Sequence, residues 1–159
     1  MTVAIRPATA ADVPDILGFI RDLAAYEKLA HEVVADEAAL AATLFGARPA
    51  AEVLIAELAG EPVGFALYFT SYSTFLAKAG LYLEDLFVLP EWRGHGLGLA
   101  LMKRLAAIAV ERGCGRFEWS VLDWNEPAIG FYKSLGATLM DGWSIVRVTG
   151  DALQKLASA

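Results

Sequence analysis

Three glycines alternate along one short segment, at Gly94, Gly96 and Gly98, and an apolar stripe at helical spacing follows them. Glycine lets a backbone approach a ligand closely, and the first amide groups of a helix have no intrahelical acceptors. The positive end of the helix dipole adds an attraction for anions. These residue types in this order favour a loop that binds a pyrophosphate. The alternative is a glycine-rich turn with no ligand.

Two common phosphate-binding motifs do not fit this loop. A P-loop requires Lys followed by Ser or Thr after its last glycine, and here Leu99 and Ala100 follow Gly98. The dinucleotide fingerprint G-x-G-x-x-G requires a glycine at position 99, where the chain has leucine. The expected ligand is therefore neither ATP held by a P-loop nor NAD on a Rossmann unit.

The elements that must position this loop follow from hydrophobic periodicity. Strand patterns cover residues 3–6, 53–56, 63–69, 81–89, 117–121 and 143–148, and helix patterns cover 9–28, 36–45, 97–112 and 127–135. The order predicts an antiparallel meander that leads into a strand–loop–helix–strand–helix unit. Because no repeat, low-complexity tract or linker interrupts it, we expect residues 1–159 to form one α+β domain.

Composition limits the class of protein. The 159 residues are 57% hydrophobic and 20% charged, which excludes a disordered chain. Lys and Arg number 13 against 19 Asp and Glu, so the net charge is −6, which argues against a general nucleic-acid binder. An acidic chain suits a cationic partner, although the same charge serves ordinary solubility.

Few residue types are available for disulfides, metal sites or membrane insertion. One cysteine, Cys114, cannot form an internal disulfide, and two histidines cannot build a His-rich metal centre. The longest uncharged stretch, 63–77, is shorter than the ~20 residues that span a bilayer, and no leader pattern opens the chain. We expect a soluble, cytoplasmic protein that binds neither membrane nor metal.

The glycine loop also carries a family resemblance. Residues 93–98 match the Q/R-x-x-G-x-G/A signature of the GNAT acyl-CoA N-acyltransferase superfamily. Further segments resemble the spermidine/spermine (diamine) N-acetyltransferase family in order and spacing. These segments are Ile5-Arg6-Pro7-Ala8-Thr9, Tyr26-Glu27, Tyr82 to Val88, Trp124-Asn125-Glu126-Pro127 and Phe131-Tyr132-Lys133. The resemblance covers nearly the whole chain.

The resemblance implies a fold, a co-substrate and a partner. The fold would be a single GNAT domain, with a mixed, mostly antiparallel central sheet flanked by helices on both faces. The co-substrate would be acetyl-CoA, the partner a small cationic amine, and the assembly a homodimer. The residues implied to contact CoA are Leu86, Phe87, Val88, Arg93, Gly94, His95, Gly96, Leu97, Gly98, Leu99, Asn125, Glu126, Pro127 and Ala128.

Acyl transfer to an amine requires a base, because an alkyl ammonium with a pKa of about 10.4 must lose a proton before it reacts. Glu84 and Asp85 are adjacent in an otherwise apolar strand. Neighbouring side chains of a regular strand point to opposite faces, so we expect only one of them to face a given cleft. The resemblance favours Glu84 on the substrate side. The alternative is that both are solvated charges near a strand end.

The remaining implied site residues also have ordinary structural explanations. Tyr132 resembles the family's proton donor to the departing thiolate, but it could equally pack in a core. The pair Tyr26 and Glu27 resembles the family's amine contacts, or it is an exposed helix end. Residues lining the amine channel would be Glu118, Trp119 and Ser120, although a buried core tryptophan is commoner. Asn125 would contact CoA or cap a helix.

Two other functions fit the same residues. One is a protein or peptide acetyltransferase of this fold, and the other is a non-catalytic CoA-binding interaction module. An acyl-enzyme on Cys114 is disfavoured, because a helix C-terminus destabilises a thiolate. Residues 71–75 offer hydroxyls where polyamine-specific relatives tend to carry a carboxylate, which leaves room for thialysine or another small amine.

Overall fold

Five strands form one sheet in chain order, and every neighbouring pair except the last is antiparallel. The strands are β1 (Val3–Pro7), β2 (Glu52–Leu58), β3 (Glu61–Ser73), β4 (Lys78–Val88) and β5 (Phe117–Trp119). This computed structural model describes residues 2–158. The expected α+β class and the mostly antiparallel sheet are confirmed.

Five α-helices accompany the sheet: α1 (Val13–Tyr26), α2 (Glu37–Phe45), α3 (Leu97–Glu111), α4 (Glu126–Ser134) and α5 (Gly150–Ser158). The chain divides into two compact units, one ending at Leu122 and the other starting at Asp123. The first unit holds the sheet with α1 to α3, and the second holds α4 and α5.

Helices α1 and α2 cover one face of the sheet, called here the α1 face. Alternate strand residues point to it, and Ile55, Phe65 and Phe87 share one buried cluster with Ile16 and Phe19 of α1. The ring of Phe19 stacks on that of Phe65 with centroids 5.5 Å apart. The intervening strand residues are buried on the opposite face, where α3 packs.

A charged network holds the start of α1 to the sheet. Two guanidinium nitrogens of Arg6 donate to the carboxylate of Asp12 at 2.8 Å each, and a third donates to Glu57 on β2 at 2.9 Å. The backbone N–H of Thr9 also donates to Asp12, at 2.7 Å. The hydrogen bonds from Arg6 hold the pKa of Asp12 below its usual value. The direction of α1, and therefore the position of its far end, depends on this anchor.

The last expected strand does not form. Residues 143–148 are rich in β-branched and aromatic side chains, yet they form neither helix nor strand, and Trp143, Ile145 and Val146 are exposed. The short helix α5 follows this segment. Strand propensity reflects packing and pairing in a sheet, and within residues 2–158 no neighbouring strand pairs with this segment.

Gly64 is required where β3 meets β4. A Cβ there would lie 2.6 Å from the carbonyl oxygen of Phe87 and 3.2 Å from the Cα of Val88. We expect Gly64→Ala to lower the free energy of unfolding by about 1–3 kcal/mol, because a backbone must shift. Chemical denaturation measures this. Gly18→Ala is the control, since its Cβ meets nothing within 4 Å and should be neutral or stabilising. Equal effects of both substitutions would contradict the prediction.

Candidate active site

A β-bulge interrupts β4 at Glu84. The register pairs Leu67 with Asp85 and Tyr68 with Leu83, so Glu84 is an extra residue with no opposite partner on β3. Residues directly opposite each other in antiparallel strands project to the same face. Asp85 therefore shares the α1 face with Leu67, whereas Leu83 shares the other face with Tyr68.

The bulge places two carboxylates on one face. Glu84 follows the alternation of β4 onto the α1 face, and the extra residue brings Asp85 to the same face. The prediction that these two side chains point to opposite faces is wrong, because it assumed a regular strand. Glu84 is exposed and Asp85 is half-buried. Both can contribute to a single acidic site.

A third carboxylate joins them from the end of α1. Glu27 caps that helix, and burial followed by the charge of Glu84 raises the pKa of its carboxyl above the ordinary value. Burial, Glu84 and Glu27 together raise the pKa of Asp85 to about 6. Glu27, Glu84 and Asp85, called here the carboxylate cluster, thus repel one another, and a cation among them would relieve that repulsion.

The α1 face continues past the bulge onto β5. Tyr82 packs on Phe69 with ring centroids 5.1 Å apart, and its hydroxyl lies 2.6 Å from the Ser120 hydroxyl. Glu118 is opposite Tyr82 in the parallel register, so it projects to the face of the carboxylate cluster. Trp119 is opposite Leu83 and projects to the other face, against Phe117. Of these expected channel residues, the structure brings Glu118 and Ser120 to the cluster's face and does not bring Trp119.

One edge of β4 is open after the bulge. Its pairing with β5 covers Leu81–Leu83, whereas its pairing with β3 continues to Val88. The backbone N–H and C=O groups of residues 86–88 that point away from β3 have no strand partner within residues 2–158, and all but the Val88 carbonyl oxygen, which accepts from Arg93, can pair with an extended ligand.

The glycine loop leads from this open edge into α3. Gly94 and Gly96 have φ of +84° and +77°, in the left-handed region that favours glycine. No side chain caps the helix, and a Cβ at Gly94, Gly96 or Gly98 would meet nothing within 4 Å. Leu97 is buried and anchors the helix, while the ring of His95 lies 6.0 Å from that of Trp92. The loop thus presents uncapped amides to open space, which suits a phosphate group.

Arg93 links the two sides of the site. Its Nε donates to the Val88 carbonyl oxygen at 3.0 Å, and its guanidinium lies 5.5 Å from the ring centroids of both Tyr26 and Phe87. This side chain therefore holds the end of β4 against the end of α1, a contact that the motif alone did not reveal.

The second unit positions the expected CoA and proton-donor residues on one short helix. Asn125 is buried and its side-chain oxygen accepts from the Ala128 N–H at 3.4 Å, which is the N-cap arrangement. Glu126 and Pro127 form the first turn. Tyr132 lies further along α4, with its ring 5.6 Å from that of Phe131.

The comparisons with known proteins agree with this geometry. A family model described as Acetyltransferase (GNAT) family matches residues 20–137. The chain belongs to the GNAT acetyltransferase family. It is therefore an acetyl-transferring enzyme, and the resemblance found in the glycine loop is confirmed.

Individual relatives of this GNAT protein cover nearly its whole length. A thialysine N-epsilon-acetyltransferase from Sus scrofa is 43% identical over 98% of each chain. The Homo sapiens spermidine/spermine N(1)-acetyltransferase-like protein 1 is 35% identical over 96% of this chain and 23% of its own length. An integron cassette protein from V. cholerae has a TM-score of 0.83 and 32% identity, with coverage of 100% and 99%.

Other site types receive no support in the described part of this GNAT chain. Residues 2–158 contain no group of three or more His, Cys, Asp or Glu that could hold a metal ion. Over the same range, no helix combines the length and apolar character needed to cross a membrane. Cys114 is partly buried just after α3.

The carboxylate cluster makes a testable link between charge and stability. Because the folded protein raises the pKa of Asp85 from 3.8 to about 6, folded protein binds that proton more tightly than unfolded protein. Stability is therefore lost as pH rises between those values. At about 1.4 kcal/mol for each tenfold change in proton affinity, the loss at pH 8 is about 1–3 kcal/mol.

We expect Asp85→Asn to unfold at a higher temperature than the parent protein at pH 8, with the difference shrinking toward pH 4. Thermal denaturation across this range measures it, and Asp22→Asn on an exposed turn of α1 is the control. A variant less stable than the parent at pH 8, or a difference independent of pH, would contradict the electrostatic origin.

Proposed function

We propose that this acetyltransferase moves an acetyl group from acetyl-CoA to the primary amine of a small cationic substrate, in one step within a ternary complex. The observation that carries this proposal is the carboxylate cluster at the bulge. It lies where β4 changes from a paired strand to one with an open edge. A cation-binding site and a place for an extended thioester arm thus adjoin each other.

The CoA side of the site is assigned to backbone groups. The uncapped amides at the start of α3 would hold the pyrophosphate, and the open edge of residues 86–88 would pair with the pantetheine arm as an added strand does. A backbone N–H on that edge would donate to the thioester oxygen and stabilise the charge that develops there.

The amine side is assigned to the carboxylate cluster. Glu27 and Glu84 attract the ammonium, and Asp85, whose pKa is raised to about 6, is suited to accept a proton near neutral pH. A carboxylate accepts one proton, directly or through water, and the freed nitrogen lone pair attacks the acetyl carbon. The new C–N bond forms as the C–S bond breaks, the nitrogen releases its second proton to solvent as it becomes the amide, and the departing thiolate receives a proton. On the family resemblance, Tyr132 is its donor.

The identity of the amine follows from the relatives only as a class. One acts on thialysine, and another is named for its likeness to spermidine/spermine acetyltransferases. We propose a small amine of this size for the present enzyme. The homodimer and the cytoplasmic location expected from the sequence stay predictions.

The decisive experiment measures release of free CoA from acetyl-CoA with a panel of amines. The panel contains thialysine, lysine, putrescine, spermidine, spermine and short peptides. We expect turnover with at least one small amine and a product heavier by one acetyl group. Turnover with peptides alone would favour a peptide acetyltransferase, and binding of acetyl-CoA without turnover of any amine would favour a non-catalytic module.

We expect Glu84→Gln to raise the KM for the amine by about tenfold or more while the KM for acetyl-CoA changes less than about twofold. The reason is that the variant removes a charge facing the ammonium but leaves the glycine loop intact. Steady-state kinetics with each substrate varied in turn measures this. Glu61→Gln, at the exposed first residue of β3, is the matched control. An unchanged KM for the amine would remove the cation-binding role of Glu84.

We expect Tyr132→Phe to lower kcat by about 100-fold or more, because the departing thiolate loses its proton donor. The alkaline limb of the kcat profile, which reports the donor, should also disappear. Tyr72→Phe is the control, since that ring is 62% exposed on β3. A variant with full kcat and an unchanged pH profile would show that Tyr132 serves packing only.

A further inference from the structure

An ion pair lies one strand away from the carboxylate cluster. Arg116 Nε is 2.8 Å from Glu118 Oε1, just before and within β5. The register places Glu118 opposite Tyr82, on the α1 face that also carries Glu84 and Asp85. The pair and the cluster therefore belong to one continuous surface.

The separation of these two groups sets the size of a bridging ligand. Tyr82 and the bulge are about two residues apart, or roughly 7 Å at ~3.3 Å per residue, and adjacent strands lie ~4.8 Å apart. The diagonal is thus about 8 Å. In an amino acid with a four-atom side-chain linker to its terminal amine, the amine nitrogen is five bonds from Cα, about 6 Å when extended. With the amine at the cluster, its α-carbon groups come within reach of the side chains of Arg116 and Glu118.

The carboxylate cluster and the Arg116–Glu118 ion pair differ in net charge. The cluster offers three carboxylates to one ammonium, whereas Glu118 is already neutralised by Arg116. A second ammonium, as in a diamine, would meet a pair with no net charge and would face the guanidinium. A zwitterionic α-carbon group would instead place its carboxylate on the guanidinium and its ammonium on Glu118.

Arg116 is held loosely enough to engage a ligand. Its side chain is 41% exposed, and its bond to the Tyr72 carbonyl oxygen is long, at 3.4 Å. The aliphatic stem crosses Gly80, where an added Cβ would lie 3.3 Å from Arg116 Cγ. The Ser71 hydroxyl, buried at the same place, has no hydrogen-bond partner among the described residues. A shift of the stem toward a ligand carboxylate would uncover this hydroxyl as a donor.

We propose that Arg116 and Glu118 form a head-group subsite for the α-carboxylate and α-ammonium of a free amino acid, whose side-chain amine lies at the carboxylate cluster. This subsite rests on the proposed function, because it positions the amine that is acetylated. It makes the enzyme selective for amino acids with a terminal side-chain amine over diamines of the same length.

Four sulfides of matched length distinguish recognition of the α-carboxylate from recognition of the α-ammonium. They are made by attaching a 2-aminoethyl group to the sulfur of cysteine, N-acetylcysteine, cysteinamide or cysteamine, and the first product is thialysine. The second compound lacks the α-ammonium, the third carries an amide in place of the carboxylate, and the fourth is the symmetric diamine, which keeps an ammonium and has no carboxylate. We expect the wild-type kcat/KM to be about 30-fold or more higher for the first than for the fourth.

Two variants then test which substrate group Arg116 and Glu118 each bind. We expect Arg116→Gln to lower kcat/KM about tenfold or more for the two compounds that carry a carboxylate and to change the others less than about threefold. Glu118→Gln should lower it for the first, third and fourth compounds, which carry the ammonium that faces Glu118, and spare the second. Arg116→Lys should restore part of the carboxylate preference. Arg48→Gln, on an exposed turn, is the control, and thermal unfolding confirms that each variant is folded.

The outcomes separate this proposal from the one it rests on. Acetylation of none of the four compounds, nor of any amine in the earlier panel, would overturn the proposed function itself. Acetylation of the first and fourth compounds with similar kcat/KM would overturn only the head-group subsite. So would an Arg116→Gln variant that loses activity equally on all four compounds, because that result marks a purely structural role.

Discussion

The single extra residue in β4 is the constraint on which the described site depends. Residues 81–83 of β4 pair with β3 on one side and with β5 on the other. From Asp85 onward, β4 pairs only with β3, and its side chains alternate between the two faces in the opposite phase. The bulge thereby gathers Glu84 and Asp85 on the α1 face and opens the adjoining edge. One irregularity thus produces both the acidic surface and, beside it, a strand edge that lacks a strand partner within residues 2–158.

The same arrangement explains why parts of the molecule that are far from the bulge matter to it. Glu27 contributes its charge only because α1 ends over the bulge, and α1 is held at its start by Arg6 and Asp12. Arg93 ties the end of α1 to the end of β4. The repulsion within the carboxylate cluster is a destabilising term that the fold tolerates, as is common where charges are kept ready for a ligand.

Much of this protein was predictable from local pattern. The glycine loop, the end of α1 near Glu27 and the Asn125 cap with Pro127 behind it each depend on residues close in sequence, and all formed where expected. The predictions that proved wrong concerned features that depend on residues distant in sequence. Residues 143–148 are rich in strand-forming residues, but no strand among residues 2–158 pairs with them, and the bulge cancels the regular strand alternation that would place Glu84 and Asp85 on opposite faces.

By itself, the sequence determined the family, the α+β class, the glycine loop before α3 and the residue types available for acid–base chemistry. Each of these is encoded in composition, short motifs or helical and strand periodicity, which act over a few residues. Only the tertiary structure decided which side chains share a face, that Arg93 bridges α1 and β4, and that Glu118 is paired with Arg116. The reason is that strand register, and with it the facing of every side chain, is set by the partner strand and not by the strand's own residues.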